Sequence, residues 1–269
     1  MNSQAVPFPL GATDLADALA RGEIVAYFQP QIDVATGQIV AVETLSRWRH
    51  PHRGIIGPGE FIPLAERTGL IHLIGELMIE EGCRCAAEWQ RRGHPLEISI
   101  NVSAAQLSTP QFFERVVSTL DRMSVPAGCL TLEITESQAI RRIGPVREHL
   151  DQLRQRGIGI SIDDFGTGHS SIERLLRLGA TELKFDRTLI QSGTHSTRAL
   201  IAAIVSLVHE RNIRVVAEGI ETVEHLALAR ELRFDRGQGF LFAHPTSGEL
   251  LEELVSANRA SEWAPGSAS

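Results

Sequence analysis

Ile158-Gly159-Ile160-Ser161-Ile162-Asp163-Asp164-Phe165-Gly166-Thr167-Gly168 is the stretch on which the fold turns. Ile158, Ile160 and Ile162 alternate with Gly159 and Ser161, the period of two that marks a strand. The run ends in two adjacent carboxylates, and a Gly-Thr-Gly loop follows at once. Two like charges at a strand end repel each other and resist desolvation, so they need a cation or strong donors nearby. A divalent metal would satisfy both, and two metals could share one of the carboxylates. A solvated Asp-Asp turn is the competing reading for such a pair taken alone. Asp164-Phe165-Gly166 also spells the kinase magnesium motif, but neither a His-Arg-Asp catalytic loop nor a Gly-rich phosphate loop precedes it.

Outward from this run, short apolar or alternating segments recur at Val25–Ile32, Ile39–Trp48, Glu97–Val102, Leu130–Ile134, Glu182–Phe185, Ile213–Ala217 and Gly239–Phe242. Helix-like stretches fill most of the gaps, around 59–67, 72–92, 110–123, 141–155, 170–177, 196–211, 222–232 and 246–257. Eight strands with intervening helices predict an α/β protein, a modified TIM (β/α)8 barrel. Only Asp33 to Gly37 separates the first two runs, too short for a helical crossover, so the first strand is expected to be antiparallel. One domain is expected over 13–259, between an N-terminal tail at 1–12 and a disordered Ser-, Gly- and Ala-rich C-terminal tail at 260–269.

The composition is that of a globular protein, with 43% hydrophobic and 22% charged residues in 269, enough for a large core. A net charge of −7 gives no basic field to draw in a nucleic acid polymer or an anionic membrane. Cys83, Cys85 and Cys129 form no disulfide framework and read as inert thiols. The N-terminus lacks the basic and apolar regions of a signal peptide, and no apolar run approaches the ~20 residues of a membrane helix. A cytoplasmic protein is expected.

The strand ends carry the chemistry. Glu43 lies in run two, Asn101 ends run three, and Glu133 sits in run four with Glu136 just beyond. Asp163 and Asp164 end run five, Lys184 sits in run six, Glu218 ends run seven and Gln238 opens run eight. In a barrel of this type the C-terminal strand ends ring one mouth, where active sites are built. Polar side chains at so many successive ends would be costly without a ligand. Oxygen donors without His or Cys favour a hard cation, Mg²⁺ or Mn²⁺. The ten histidines fall on no strand end, and His50 and His52 read as surface residues in a turn.

These residues carry a resemblance to a known family. The chain looks like an EAL domain, the cyclic di-GMP phosphodiesterase module of bacteria, from about Tyr27 to Pro245. The match includes Gln29-Pro30, the signature Glu43-Thr44-Leu45-Ser46-Arg47-Trp48, Asn101-Val102-Ser103 with Gln106-Leu107, and Glu133-Ile134-Thr135-Glu136. It continues through Asp163 to Gly168 with Ser170-Ser171, Leu183-Lys184-Phe185-Asp186, Ala217-Glu218-Gly219-Ile220-Glu221 and Gln238-Gly239-Phe240-Leu241-Phe242. The resemblance implies hydrolysis of one phosphodiester bond of cyclic di-GMP to linear pGpG by a two-metal activated water. Glu43, Asn101, Glu133 and Asp163 would hold the first of two Mg²⁺ or Mn²⁺ ions, and Asp163, Asp164 and Glu218 the second. Lys184 would orient the attacking water, and Glu136 would anchor the loop after Asp164. Glu43, Lys184, Glu218 and Glu136 are thus the implied catalytic set. Gln29, Leu45, Arg47, Asp186 and Gln238 would line the dinucleotide. Phe165, Gly166, Thr167, Gly168, His169 and Ser170 would form a regulatory loop linked to a homodimer interface.

Three departures from the family pattern stand out. Thr44 replaces a small Ala and, as a strand neighbour of Glu43, is expected to face the helix layer. His169 replaces a Tyr in the regulatory loop. Arg233-Phe234 stands where Gly-Cys is common and is expected at the edge of a base pocket. The alternative to an enzyme is a non-catalytic cyclic di-GMP receptor or protein-interaction module, but such modules lack metal ligands and here every ligand position is filled.

Overall fold

A computed structural model describes residues 10–135, 143–167, 178–192 and 194–257. The chain enters through α1 (Ala12–Ala20), then forms a long hairpin of β1 (Ile24–Asp33) and β2 (Ile39–His50), extended by a short β3 (Gly54–Ile56). Next come α2 (Pro58–Thr68), α3 (Ile71–Arg91), β4 (Glu97–Asn101), α4 (Ala104–Leu107), α5 (Phe112–Met123) and β5 (Leu130–Thr135). The second half holds α6 (Ile143–Gln155), β6 (Gly159–Phe165), β7 (Glu182–Phe185), α7 (Arg187–Gln191) and α8 (His195–His209). It closes with β8 (Arg214–Ala217), α9 (Val223–Glu231), β9 (Arg236–Gln238) and α10 (Gly248–Ser256).

Strands β2, β4, β5, β6, β7, β8 and β9 are parallel in that order, and β1 joins β9 to β2 antiparallel to both. Eight strands therefore close a barrel, with β3 outside it as a third member of the hairpin. The modified barrel with an antiparallel first strand is the architecture the short 33–37 connection required.

Strand alternation divides the side chains into two sets. The outward set is apolar: Ile98 and Ile100 on β4, Leu130, Leu132 and Ile134 on β5, Ile160 and Ile162 on β6, Leu183 and Phe185 on β7, Val215 and Ala217 on β8, all buried. It meets the apolar stripes of the helices, such as Ile74, Met78, Cys85 and Trp89 of α3, spaced four or seven residues apart along one face. The core is thus a ring between sheet and helices. Thr44 belongs to this outward set, turned against Gly82 of α3. Burial pushes the Cys83 thiol up to about 12 and the Cys85 thiol up to about 11, which fits inert cysteines.

The inward set is largely polar, with Val216 of β8 an apolar exception. At the N-terminal end of the barrel, Arg236 lies 2.7 Å from Glu97, and Arg214 lies 2.9 Å from Glu97 and 3.2 Å from Glu182. Above this layer sit the small buried Ser99 and Ser161, and above them the groups of the mouth.

Two expectations are corrected. The eighth strand is Arg236–Gln238, not 239–242, so Gln238 ends it rather than opening it. A side chain on Gly239 would strike the Ile220 backbone at about 2.1 Å, and this close crossing turns the chain out of the sheet. Because 233–234 precede that strand, they lie at the end opposite the mouth, in a cleft with Arg214 and Asp235 rather than at a base pocket. Arg233 is the left-handed residue after α9, with φ of +62°, and Phe234 NH closes the turn on Ala229 O at 2.9 Å. Phe234 then packs edge-on against Phe185, 5.1 Å between centroids.

Glycine carries no Cβ penalty in that left-handed turn. Arg233→Gly is expected to raise the free energy of unfolding by about 0.5–1 kcal/mol, read from urea denaturation, with no effect on ligand binding at the mouth. A loss of ligand affinity in that variant would restore the base-pocket placement.

Candidate active site

The mouth is organised around Lys184, a wholly buried lysine in the middle of β7. Its ammonium lies 2.8 Å from Glu133 Oε2 on β5, 2.9 Å from Glu218 Oε1 after β8, 3.1 Å from Asp163 Oδ1 on β6 and 3.2 Å from Glu43 Oε2 on β2. Side chains from opposite walls thus meet on one cation. Asn101 Nδ2 donates to Glu43 Oε1 at 2.7 Å. Gln238 Nε2 donates to Glu43 Oε2 at 2.8 Å and to Glu218 Oε1 at 3.0 Å.

The Asp163-Asp164 pair owes its placement to an irregularity. Regular alternation would send the two carboxylates to opposite faces of the sheet. Instead the β6–β7 register slips between Ile162 and Phe165, and Asp164 takes a left-handed backbone with φ of +56°. This bulge re-aims Asp164, so that oxygens of Asp163, Asp164 and Glu218 lie within 4.8 Å of one another. A non-glycine residue in that conformation costs of order 1–3 kcal/mol, and such strain concentrates at functional sites. Phe165 anchors the far side of the bulge in the core against Phe185, 5.2 Å between centroids. Gly166 follows at φ of +103°, its open face filled by Leu189. The Thr167 hydroxyl donates to Asp164 O at 3.0 Å. Gly168, His169 and Ser170 of the expected regulatory loop, and Glu136, lie outside the described residues.

Four carboxylates, Glu43, Glu133, Asp163 and Glu218, therefore share one ammonium, and Asp164 adds a fifth beside Asp163 and Glu218. Burial opposes the charge on Lys184, but the surrounding carboxylates outweigh it and hold the ammonium well above the ordinary lysine range. Burial likewise opposes the Glu43 anion, and here Lys184 with the Gln238 and Asn101 amides prevails, keeping its carboxyl below the ordinary range. One cation cannot do the same for all. Burial and the charge of Glu43 push Glu133 well up, burial raises Glu218 to about 8, and burial with Asp163 raises Asp164. Glu133 Oε1 is buried without a hydrogen-bond partner among the described residues. Excess negative charge, an orphaned carboxylate oxygen and an all-oxygen donor set are what divalent cations would complete.

The predicted substrate residues are distributed around this centre. Gln29 is buried on β1 directly opposite Glu43 in the hairpin register. Leu45 and Arg47 are half-buried further along β2, and the Arg47 guanidinium donates to Ser46 O at 2.9 Å but forms no ion pair among the described residues. Asp186 caps α7, its carboxylate accepting from Thr188 NH at 2.8 Å. A cavity of about 650 Å³ opens beside β2, with Glu43, Asn101 and Asp164 on its polar side and Ile62, Ile74 and Met78 among its apolar walls. The larger cleft of about 820 Å³ at the opposite end contains none of the predicted site residues.

Sequence reasoning missed Gln31, whose Nε2 donates to Gln238 Oε1 at 2.9 Å. The signal was present, since Gln31 follows Gln29 by one strand period and both are polar in an apolar run.

A closed barrel with a carboxylate-rich mouth belongs to the α/β barrels that can hold hard cations at their C-terminal strand ends. The EAL domain profile matches residues 12–245, and the chain belongs to that family. The bifunctional diguanylate cyclase/cyclic di-GMP phosphodiesterase MucR of Pseudomonas aeruginosa is 42% identical over 246 residues, 90% of this chain and 36% of that protein. The cyclic di-GMP phosphodiesterase NbdA of the same organism is 35% identical over 249 residues, 91% of this chain and 32% of that protein. The chain thus spans about a third of the length of these relatives. Among solved structures, the MucR phosphodiesterase in complex with cyclic di-GMP superposes with a TM-score of 0.84 at 42% identity, covering 89% of this chain and 98% of that one. An EAL domain protein from Listeria monocytogenes gives 0.81 at 26% identity, covering 93% and 100%. Among the described residues no helix is long and apolar enough to cross a membrane.

A carboxyl raised on folding adds stability below its unfolded pKa and loses it as pH rises through the folded value. Glu218 moves from 4.5 to about 8, with Glu133 and Asp164 shifted the same way, whereas lowered Glu43 is already ionised in that window. The Tm of metal-stripped protein should therefore fall between pH 4.5 and about 8. Added Mn²⁺ should raise Tm more at the top of that window than at the bottom. Scanning fluorimetry with and without chelator measures both, and a Mn²⁺ effect larger at the acidic end would contradict the charge-excess account.

Proposed function

We propose that this chain hydrolyses one phosphodiester bond of cyclic di-GMP, giving linear pGpG, in a metal-dependent reaction. The observation that carries this reading is the meeting of Asp163, Asp164 and Glu218 oxygens within 4.8 Å, next to Glu43 and Glu133 on Lys184, in an EAL-family barrel. Relatives named as cyclic di-GMP phosphodiesterases, and a similar structure in complex with cyclic di-GMP, support the choice of substrate.

Glu43, Asn101, Glu133 and Asp163 would hold one Mg²⁺ or Mn²⁺, and Asp163, Asp164 and Glu218 a second. When bound, such a pair supplies Lewis acidity and a water nucleophile at neutral pH. The chain's own groups do the rest. Lys184 keeps a full positive charge in a dry setting, where it counters negative charge growing on the phosphoryl oxygens. Arg47, without a carboxylate partner among the described residues, is available to grip a phosphate through two parallel hydrogen bonds. Gln29 and Leu45 flank Glu43 on the β1–β2 hairpin and would contact the dinucleotide, with Gln238 on the adjoining β9 and Asp186 after β7. The raised carboxyls of Glu133, Glu218 and Asp164 would release protons as the site loads. Glu136 would anchor the segment after Asp164, and a homodimer formed through that segment is part of the same reading.

Purified protein incubated with cyclic di-GMP and either Mn²⁺ or Mg²⁺ should yield pGpG by chromatography. Binding without product in either metal would make the protein a receptor and overturn the enzyme reading. Glu43→Ala should weaken metal binding and activity together, by about a hundredfold or more. Full activity in that variant would refute the assigned site.

A further inference from the structure

We propose that Gln31 is a positioning residue, which holds the Gln238 side chain in the one orientation that turns its NH₂ group onto Glu43 and Glu218. The inference rests on the proposed role of those carboxylates as metal ligands. Gln31 and Gln238 are directly opposed in the antiparallel β1–β9 ladder, one of the two seams that the reversed strand makes in the barrel. Both side chains are buried.

A primary amide has two ends of nearly equal size and opposite hydrogen-bonding character, so its neighbours alone decide which way it points. The two ligand carboxylates accept from Gln238 Nε2 at 2.8 and 3.0 Å. The carbonyl end must then find a donor on the other side, and Gln31 Nε2 supplies it at 2.9 Å. Without that donor, the Gln238 carbonyl would be buried without this partner, and a flip would aim it at two anions. Gln238 would lose its hold on Glu43 and Glu218, one carboxylate from each of the two proposed ligand sets. The relay from Gln31 through Gln238 thus orients ligands on opposite walls of the mouth, and an apolar residue at position 31 cannot sustain it.

The test is a double-mutant cycle of Gln31→Leu and Gln238→Met, read as the Mn²⁺ affinity of the metal-stripped full chain by titration calorimetry. Gln31→Leu alone should weaken Mn²⁺ binding about tenfold, at the low end of losses seen when a group supporting a metal ligand is removed. On the Gln238→Met background the same substitution should change it less than about twofold. Gln31→Met, which keeps the chain length and removes the donor, should repeat the result if Leu disturbs packing. With saturating Mn²⁺, kcat of Gln31→Leu for cyclic di-GMP should recover, since the loss lies in metal affinity. Equal losses on both backgrounds would mark a merely structural role, and no loss on either would show that Gln238 orients itself; both overturn the proposal. Because the calorimetric cycle needs no turnover, wild-type protein that binds Mn²⁺ without hydrolysing cyclic di-GMP defeats the proposed function while the coupling still decides the role of Gln31.

Discussion

The contact of Lys184 with Glu43, Glu133, Asp163 and Glu218 is the interaction to which the rest of the molecule is fitted. Bringing one ion out of water costs several kcal/mol even after relaxation, and this site gathers five ionisable side chains. Only a rigid surround can hold such groups together. That surround is the ring of Ile, Leu and Val between sheet and helices, which fixes each strand before any interior group is considered. The polar interior is therefore not what holds the barrel closed. The outer core closes it, and the interior exploits the closure.

The two ends of the barrel show opposite electrostatic solutions. At the N-terminal end, Arg214 and Arg236 face Glu97 and Glu182, cation for anion. Glu97 is held below the ordinary carboxylate range there, because Arg236 and Arg214 outweigh its burial. At the mouth, one lysine faces five carboxylates, and three of these are raised. A balanced layer is a plug, whereas an unbalanced one is a receptacle for positive charge. The difference lies in the count of partners, one cation for each anion in the layer on β4, β7, β8 and β9, and a single cation for the carboxylates of the mouth.

Much of this was legible in the residue order. Period-two runs located seven of the eight barrel strands, and the five-residue gap after Asp33 settled the direction of the first. Glu43, Asn101, Glu133, Asp163, Lys184 and Glu218 all reached the mouth, because a buried polar residue inside an apolar strand has few places to go. What escaped depends on contacts between distant segments. The eighth strand is only three residues long, and the apolar stretch after it imitated a strand until Gly239 met the Ile220 backbone. Misplacing that strand also misplaced Arg233-Phe234. The left-handed backbone of Asp164 is set by a register slip against β7, for which no local pattern exists. Gln31 acquires meaning only when Gln238, 207 residues away, is placed opposite it.

The reversed direction of β1 has one more consequence. In an all-parallel barrel the first strand starts at the closed end, and polypeptide ahead of it arrives far from the mouth. Here β1 starts at Ile24 opposite Trp48, on the mouth side, and finishes at Asp33 opposite Arg236. Helix α1, which packs on α2, therefore delivers the chain at the same rim where β2 carries Leu45 and Arg47. An unbroken antiparallel ladder runs from Ile24–Trp48 at that rim to Gln29–Glu43 at the site. One strand run backwards brings the helix that precedes it to the working edge of the barrel.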